Sequence, residues 1–453
     1  MRFCVGGPYD LSSEDGNRRR IMKLSGWGCY PIIECAAHLF EKRSTAAALL
    51  SAGDDWIAYG QGKSYGDSAL APHVLLTQEY NKLIDFDAQT GVVTCECGIT
   101  LAELIDLFLP RGWFLKVTPG TKLISVGGAI ASDVHGKNHH AEGCFSESVI
   151  SLRLMLPDGT IASCSREENV PLFRATCGGM GLTGVILDAT LQLKAVNSAY
   201  IRENIIPCAN LDEVFVQYDR CSHYPYSVAW IDCLAGGSSL GRSILMVGDH
   251  DDDGELTLPE AKRLSVPVTC PSFLLNNYTL SMFNQIYYRV KGKPAQRQRV
   301  PLETFFYPLD KIDHWNRMYG KAGFVQYQCV LPMATSYKGM KALLQQISAA
   351  GMGSFLAVIK LFGPQNENFL SFPMEGYTLA LDFKIQPKLF GLLERLDRIV
   401  LEHDGRLYLT KDSRMSEAMF MQGYPRWREF QDLRTQYGMK KKFNSWQSKR
   451  IGL

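Results

Sequence analysis

The chain has 453 residues, 46% of them hydrophobic and 21% charged, with a formal net charge of +2. This length exceeds a single ordinary core, so two or three domains of a soluble globular protein are expected. The near balance of charge excludes broad nucleic-acid binding and confines any basic surface to local patches. Thirteen cysteines are scattered from Cys4 to Cys329 without a CxxC pair. Cys95 and Cys97 alternate on a strand, which is no zinc spacing, so reduced thiols in a cytoplasmic protein are expected. Acids and an RRR run precede any apolar stretch, so no secretory signal is expected. No apolar run reaches the roughly 18 residues of a membrane span, and peripheral association stays open.

Residues 1 to 20 are polar and glycine-rich and read as a loose arm. WIAYGQGKSYGDSAL, from 56, reads as a short strand and a glycine-rich turn. Residues 74 to 97 alternate apolar and polar around Asn81 and a DAQTG turn, which predicts β-hairpins. Thr100 and Glu103 form a capping box that opens the helix LAELIDLFL, and Arg111-Gly112 closes it. Residues 149 to 164 predict a hairpin around Pro157-Asp158-Gly159, and 182 to 193 another strand. Beyond about 197 the strand-like runs YSVAWIDC, KAGFVQYQCVLP and YTLALDFKI alternate with helical patterns at 337 to 350 and 387 to 403. One broad sheet backed by helices is expected, within an α+β fold. Two segments read as mobile: 248 to 270, with an acidic run from Asp249 to Glu255, and 289 to 299, with five basic residues and no acid.

Three glycine-rich segments carry the chemistry. In Gly60-Gln61-Gly62-Lys63-Ser64-Tyr65-Gly66-Asp67-Ser68, successive backbone N–H groups and two hydroxyls suit an anion such as a diphosphate. The spacing is neither Walker A nor the Rossmann GxGxxG, and an ordinary tight turn would read alike. PGTKLISVGGAIASDVHGKNHH (119 to 140) is the most informative window. Gly127, Gly128, Ala129, Ala131 and Ser132 leave a nearly bare backbone for a flat ligand, and His135, Lys137, His139 and His140 follow at its edge. The plainer alternative is a tightly packed small-residue strand with surface histidines. GGMGLTG (178 to 184) leads into a strand, either as a bend or as another close approach to a flat ligand.

With LSGWG (24 to 28), AWID (229 to 232), YYRVKGK (287 to 293), KLFGP (360 to 364) and GRLYLTKDSR (405 to 414), these segments resemble the vanillyl-alcohol-oxidase type of FAD-binding oxidoreductase. Within that type the chain is most similar to the family of decaprenylphosphoryl-β-D-ribose 2′-oxidases, along almost its whole length. The resemblance implies an FAD-binding domain over 1–197, to which 407–453 return, and a substrate domain over 198–406. It implies that FAD is held by Gly60, Gly62, Lys63, Ser64, Tyr65 and Gly66, and by Pro119, Gly120 and Thr121. Gly127, Gly128, Ala131, His135, Gly181, Thr183, Gly184 and Tyr408 complete that set. Related oxidases with covalent flavin carry a histidine where this chain has Lys63, so non-covalent FAD is implied.

The implied reaction oxidises the 2′-hydroxyl of a polyprenyl-phosphate ribose to the keto sugar, with hydride passing to flavin N5. Lys411 is the expected catalytic residue, its pKa lowered by desolvation, with His135 beside it as a polar group or proton relay. Lys137, Trp230, Tyr319, Gln326, Gln328 and Lys360 match substrate-pocket positions, and the window's histidines are expected on the substrate side. The mycobacterial members have a cysteine, the target of nitroaromatic covalent inhibitors, where this chain has Ala380, and an asparagine where it has Thr378. No metal is expected. Implied partners are the lipid-linked sugar, an NAD(P)H-dependent keto-sugar reductase and a membrane surface, with no nucleic acid. The chain is then expected in the cytoplasm, peripherally on the inner membrane, with the basic 289–299 segment either docking there or simply solvated. Two alternatives are a soluble FAD oxidase of another sugar, alditol or lactone, and a non-catalytic flavin-binding subunit.

Overall fold

A computed structural model describes residues 19–259, 264–271, 276–293, 297–354 and 356–453. Of the arm expected over 1–20, residues 1–18 lie outside the described residues, while Arg19 and Arg20 already open a strand. The fold is α+β and, among the described residues, is built on three large sheets, with a small parallel pair, Leu264–Ser265 and Ile312–Asp313, as a fourth.

The first sheet runs in the order Arg19–Ser25, Ile32–Leu39, His73–Leu76, Trp56–Tyr59. His73–Leu76 pairs in parallel with two neighbours, so residues 74–76 do not enter the expected hairpin. They are instead the buried centre of this sheet, with Val74 and Leu75 fully covered. The hairpin that does form joins Leu83–Asp87 to Val92–Glu96 around the DAQTG turn. It belongs to a second, antiparallel sheet with Val185–Ala195, Val149–Met155, Ile161–Ser165 and Trp113–Leu115. The capping box forms as read: Thr100 Oγ1 accepts from Glu103 N–H at 3.2 Å, and the Glu103 carboxylate accepts from Thr100 N–H at 2.7 Å.

The third sheet has eight strands, in the order Arg297–Pro301, Tyr200–Cys208, Ser243–His250, Tyr226–Ile231, Ala357–Phe362, Gly376–Lys384, Phe324–Pro332 and Arg406–Leu407. The helices Leu211–Arg220 and Met333–Ala350 pack against it, and Leu389–Glu402 packs on the latter. Leu392, Leu396 and Val400 recur at helical spacing, which explains why Leu389–Glu402 buries one face.

The two segments read as mobile are partly ordered by each other. Arg297–Pro301 is an edge strand paired with Tyr200–Cys208. From it Arg299 ion-pairs with Asp251, Asp253 and Glu255 of the acidic run. Arg289 and Lys291 close the helix Asn277–Lys291. Residues 260–263 and 294–296 lie outside the described residues.

The C-terminal stretch returns to the first sheet: Asn444 N–H donates to the Trp56 carbonyl at 3.1 Å. Arg450 donates to Asp67 at 2.7 Å and to Asp412 at 2.9 Å. Gly66 lies against this joint, where a Cβ would stand 1.8 Å from the Asp412 carbonyl oxygen. Gly66→Ala is therefore expected to destabilise the chain by roughly 1–3 kcal/mol or more. Thermal unfolding reads this directly, and an unchanged midpoint would rule out the close approach.

Candidate active site

A cavity of about 530 Å³ is lined by the glycine-rich segments on one side and by one face of the eight-stranded sheet on the other. The loop from Gly60 to Tyr65 supplies the first wall, with Gly62 at φ +63°, a conformation that favours glycine. Pro119, Gly120 and Thr121 follow, then Gly127, Gly128, Ala131 and Ser132. The bare stretch is not a strand but the short helix Val126–Ala131, whose N-cap Ser125 accepts from Gly128 N–H at 3.2 Å. Gly181, Gly184 and Tyr408 complete this side.

The sheet face follows from register. Trp230 stands opposite Val358, Val358 opposite Ala380, and Ala380 opposite Gln328, one row across four antiparallel strands. All four side chains line the cavity, because residues on one face recur at every second position. Two residues along, Gln326 stands opposite Asp382 and donates to its carboxylate at 2.5 Å. Lys360 occupies the neighbouring row, opposite Thr378.

Four titratable side chains meet here. Lys411 lies with its ammonium 3.8 Å from the centre of the Tyr65 ring. Burial holds the Lys411 pKa well below the usual lysine range and the Lys360 charge adds to this, while the Asp382 carboxylate opposes it. Burial likewise lowers Lys360 to about 8. It lowers Lys137 to about 7, against the opposing charge of Glu203. Lys137 bonds the Phe305 carbonyl and lies 4.3 Å from that residue's ring centre. The His135 pKa is driven well below the usual imidazole range by burial and then by the charges of Lys360, His139 and Lys411. Its Nε2 meets the Gln328 amide nitrogen at 3.1 Å, and its buried Nδ1 has no partner.

Several expected residues stand elsewhere. His139 accepts from Gly363 N–H at 3.1 Å and meets Cys144 at 3.3 Å, while His140 bonds the Tyr224 carbonyl at 2.8 Å. Both are packing histidines away from the cavity lining, so only His135 and Lys137 of the four groups reach it. Gly66, Thr183, Tyr319 and Thr378 do not line the cavity either. Gly66 is small because of the Asp412 backbone, and Thr183 bonds Thr176 inside the core at 3.0 Å. Tyr319 lies one layer behind, stacked on Phe324 at 4.2 Å with its hydroxyl 3.4 Å from Asp382. Thr378 accepts from the Gln328 amide at 3.2 Å and donates to the Cys329 carbonyl at 2.8 Å. Thr378 thus supports the cavity residue Gln328, and Tyr319 the buried Asp382, instead of forming the wall.

Comparison with known proteins bears on what such a cavity holds. The FAD binding domain family matches residues 41–165. A decaprenylphosphoryl-β-D-ribose oxidase of Mycolicibacterium smegmatis is 35% identical over 426 residues, 89% of this chain and 92% of the relative. The chain belongs to the decaprenylphosphoryl-β-D-ribose oxidase family. It is an FAD-dependent oxidoreductase with the vanillyl-alcohol-oxidase type of fold. An uncharacterized Streptomyces coelicolor protein is 31% identical over 78% of this chain and its own full length. Mouse L-gulonolactone oxidase is 32% identical over only 35% of this chain and 36% of its own.

The residues present fit FAD. A Cβ on Gly120 would meet nothing within 4 Å, so this backbone borders open space, and the His135 Nδ1 is left for a partner the protein does not supply. No histidine occurs in the first loop; Lys63 instead lies over Trp27, its ammonium 3.4 Å from a ring centre.

Asp382 is the functional candidate that sequence reasoning missed. Burial raises its pKa to about 7, while the Gln326 amide, Lys411 and Tyr319 oppose the rise. Its signal was available: an acid in the apolar strand YTLALDFKI, two residues past Ala380 and so on the same face. Asp382 stands behind the lining, on Gln326, whereas Trp27, Asp310 and Tyr287 line the cavity itself and are not among the expected site residues. Because Ala380 occupies the wall position, an activated nitroaromatic is expected to leave no lasting adduct on this chain. Ala380→Cys should gain one adduct by intact-mass spectrometry, and an adduct at this site without that substitution would break the alignment.

Proposed function

We propose that this oxidoreductase oxidises the 2′-hydroxyl of a polyprenyl-phosphate β-D-ribose to the 2′-keto sugar, the first half of epimerisation to the arabinose form. The observation that carries the reading is Lys411, held deprotonatable inside a cavity whose floor fits FAD. The full-length similarity to a relative of that name supports the substrate class, whereas the lactone-oxidase similarity is confined to about a third of each chain.

In this reading residues 1–197 with 407–453 form the FAD unit, and 198–406 the substrate unit. FAD, held non-covalently by the Gly60–Tyr65 loop, Pro119–Thr121 and the small helix, supplies the hydride acceptor when bound. Lys411 in its neutral form takes the hydroxyl proton. Gln328, braced by Thr378 and His135, orients the sugar. Lys360 and Lys137 meet the phosphate end, since both are cavity lysines that an anion would recharge. An NAD(P)H-dependent reductase then completes the epimerisation, and a membrane surface delivers the substrate.

The deciding experiment is anaerobic titration of the FAD-loaded chain with polyprenyl-phosphate ribose beside soluble polyols and lactones. The lipid-linked sugar alone should bleach the oxidised flavin. Bleaching by a soluble substrate instead would replace this reading with that of a soluble sugar oxidase, and no bleaching at all would favour a non-catalytic subunit. Lys411→Ala should lower kcat/KM by roughly 10²–10⁴-fold with FAD retained.

The pH profile follows from the signs. Activity requires neutral Lys411, so it falls as pH drops through that lowered pKa. The Asp382 carboxylate favours the charged lysine, so Asp382→Asn should move this acid limb to lower pH. A limb that stays put would remove Asp382 from the scheme.

A further inference from the structure

The helix Asn277–Lys291 has two faces with different fates. Leu280 and Asn284 are buried, and Asn284 donates to Asp232 at 2.8 Å. Tyr287 packs its ring 4.7 Å from Trp230 and lines the cavity, and Tyr288 lies under the Arg242 guanidinium at 4.8 Å. The inner face is thus fixed to the cavity wall. On the opposite face Tyr278, Met282, Ile286 and Val290 recur every fourth residue, 88, 60, 54 and 59% exposed, with Phe283 beside them at 43%. An unbroken apolar stripe of this length in water marks a contact surface, not scattered exposure.

Its charge says what the contact is. From Asn276 to Lys293 the chain has no acid, while Arg289, Lys291 and Lys293 gather exposed at the C-terminal end of the stripe. Bulky apolar and tyrosine side chains on one face, with cations at its end and no acid, fit the interface of an anionic bilayer.

We propose that this helix lies on an anionic lipid surface, stripe inward, and so places the cavity wall carrying Tyr287 and Trp230 directly above the leaflet. The inference rests on the lipid-linked substrate argued above and adds where that lipid leaves the membrane. A substrate with a long apolar chain then slides from leaflet to cavity along one helix, without its tail crossing water. The span is too short and too polar on its inner face to cross the bilayer, and among the described residues no helix is long and apolar enough to do so.

The FAD-loaded chain should sediment with vesicles of phosphatidylglycerol and phosphatidylcholine, and far less with phosphatidylcholine alone. Met282→Gln with Ile286→Gln should cut that partition roughly tenfold or more. Neutralising Arg289, Lys291 and Lys293 to glutamine should cost roughly fivefold per charge. Both variants should still bleach their flavin with a short-chain, water-soluble polyprenyl-phosphate ribose. Unchanged partition of the apolar variant overturns the proposal. So does self-association of the chain that the same substitutions abolish, which would assign the stripe to a second copy. Vesicle binding that behaves as stated while no polyprenyl substrate bleaches the flavin would sink the substrate reading and leave the docking surface standing.

Discussion

An ammonium group buried in a cavity wall is the constraint on which the rest of this structure turns. An isolated charge at that depth costs several kcal/mol, and proteins avoid the cost by pairing the group or stripping its proton. Lys411 has both routes. The Tyr65 ring faces it at 3.8 Å, and the field of Asp382 favours its charged form, while burial and Lys360 favour its neutral form. A lysine balanced in this way can exchange a proton near neutral pH, which a solvated lysine cannot.

Holding that balance requires the C-terminal return to meet three distant stretches of chain. Tyr65 N–H donates to the Thr410 carbonyl at 3.0 Å, and Tyr408 N–H donates to the Gln328 carbonyl at 2.9 Å. The Tyr408 hydroxyl donates to the Ser132 carbonyl at 3.0 Å. These bonds stitch the C-terminal return to the first glycine loop, the broad sheet and the small helix at once. Arg450 locks the same joint from behind through Asp67 and Asp412. The glycine loop therefore has two jobs. Its first half, Gly60 to Tyr65, borders the cavity, while Gly66 and Asp67 belong to the joint that positions Lys411.

Local signals in the sequence were legible where one short segment decides the outcome. The Thr100–Glu103 capping box, the DAQTG hairpin and the helix over 389–402 all depend on neighbours within a few residues. The strand of residues 73–76 was misread because its partners lie in other segments, and parallel pairing leaves no local turn to betray it. Of the small-residue window, composition announced a bare backbone but not that it would coil into a helix. His139 and His140 read like site residues for the same reason. Their partners, Gly363 and Tyr224, are set by tertiary contacts more than 80 positions away. Asp382 shows the converse: period-two spacing placed it on the face of Ala380, but its weight comes from burial, which no short window reveals.

Three of the cavity lysines, Lys137, Lys360 and Lys411, also bear on ligand charge. With Lys137 near 7 and Lys360 near 8, these three side chains need not all be charged at once, which relieves the repulsion that three ammonium groups would impose. A ligand bearing phosphate reverses this, because an anion within a few ångströms stabilises the protonated forms and draws protons back onto the lysines it touches. Binding energy thus comes partly from restoring charge that burial had suppressed, and a neutral lactone or polyol gains nothing from it. That asymmetry is the electrostatic argument for the phosphate-bearing sugar proposed above. On the proposed reading it also separates the roles of the lysines: those that meet the phosphate become cationic on binding, while Lys411, at the reacting hydroxyl, must stay neutral to work.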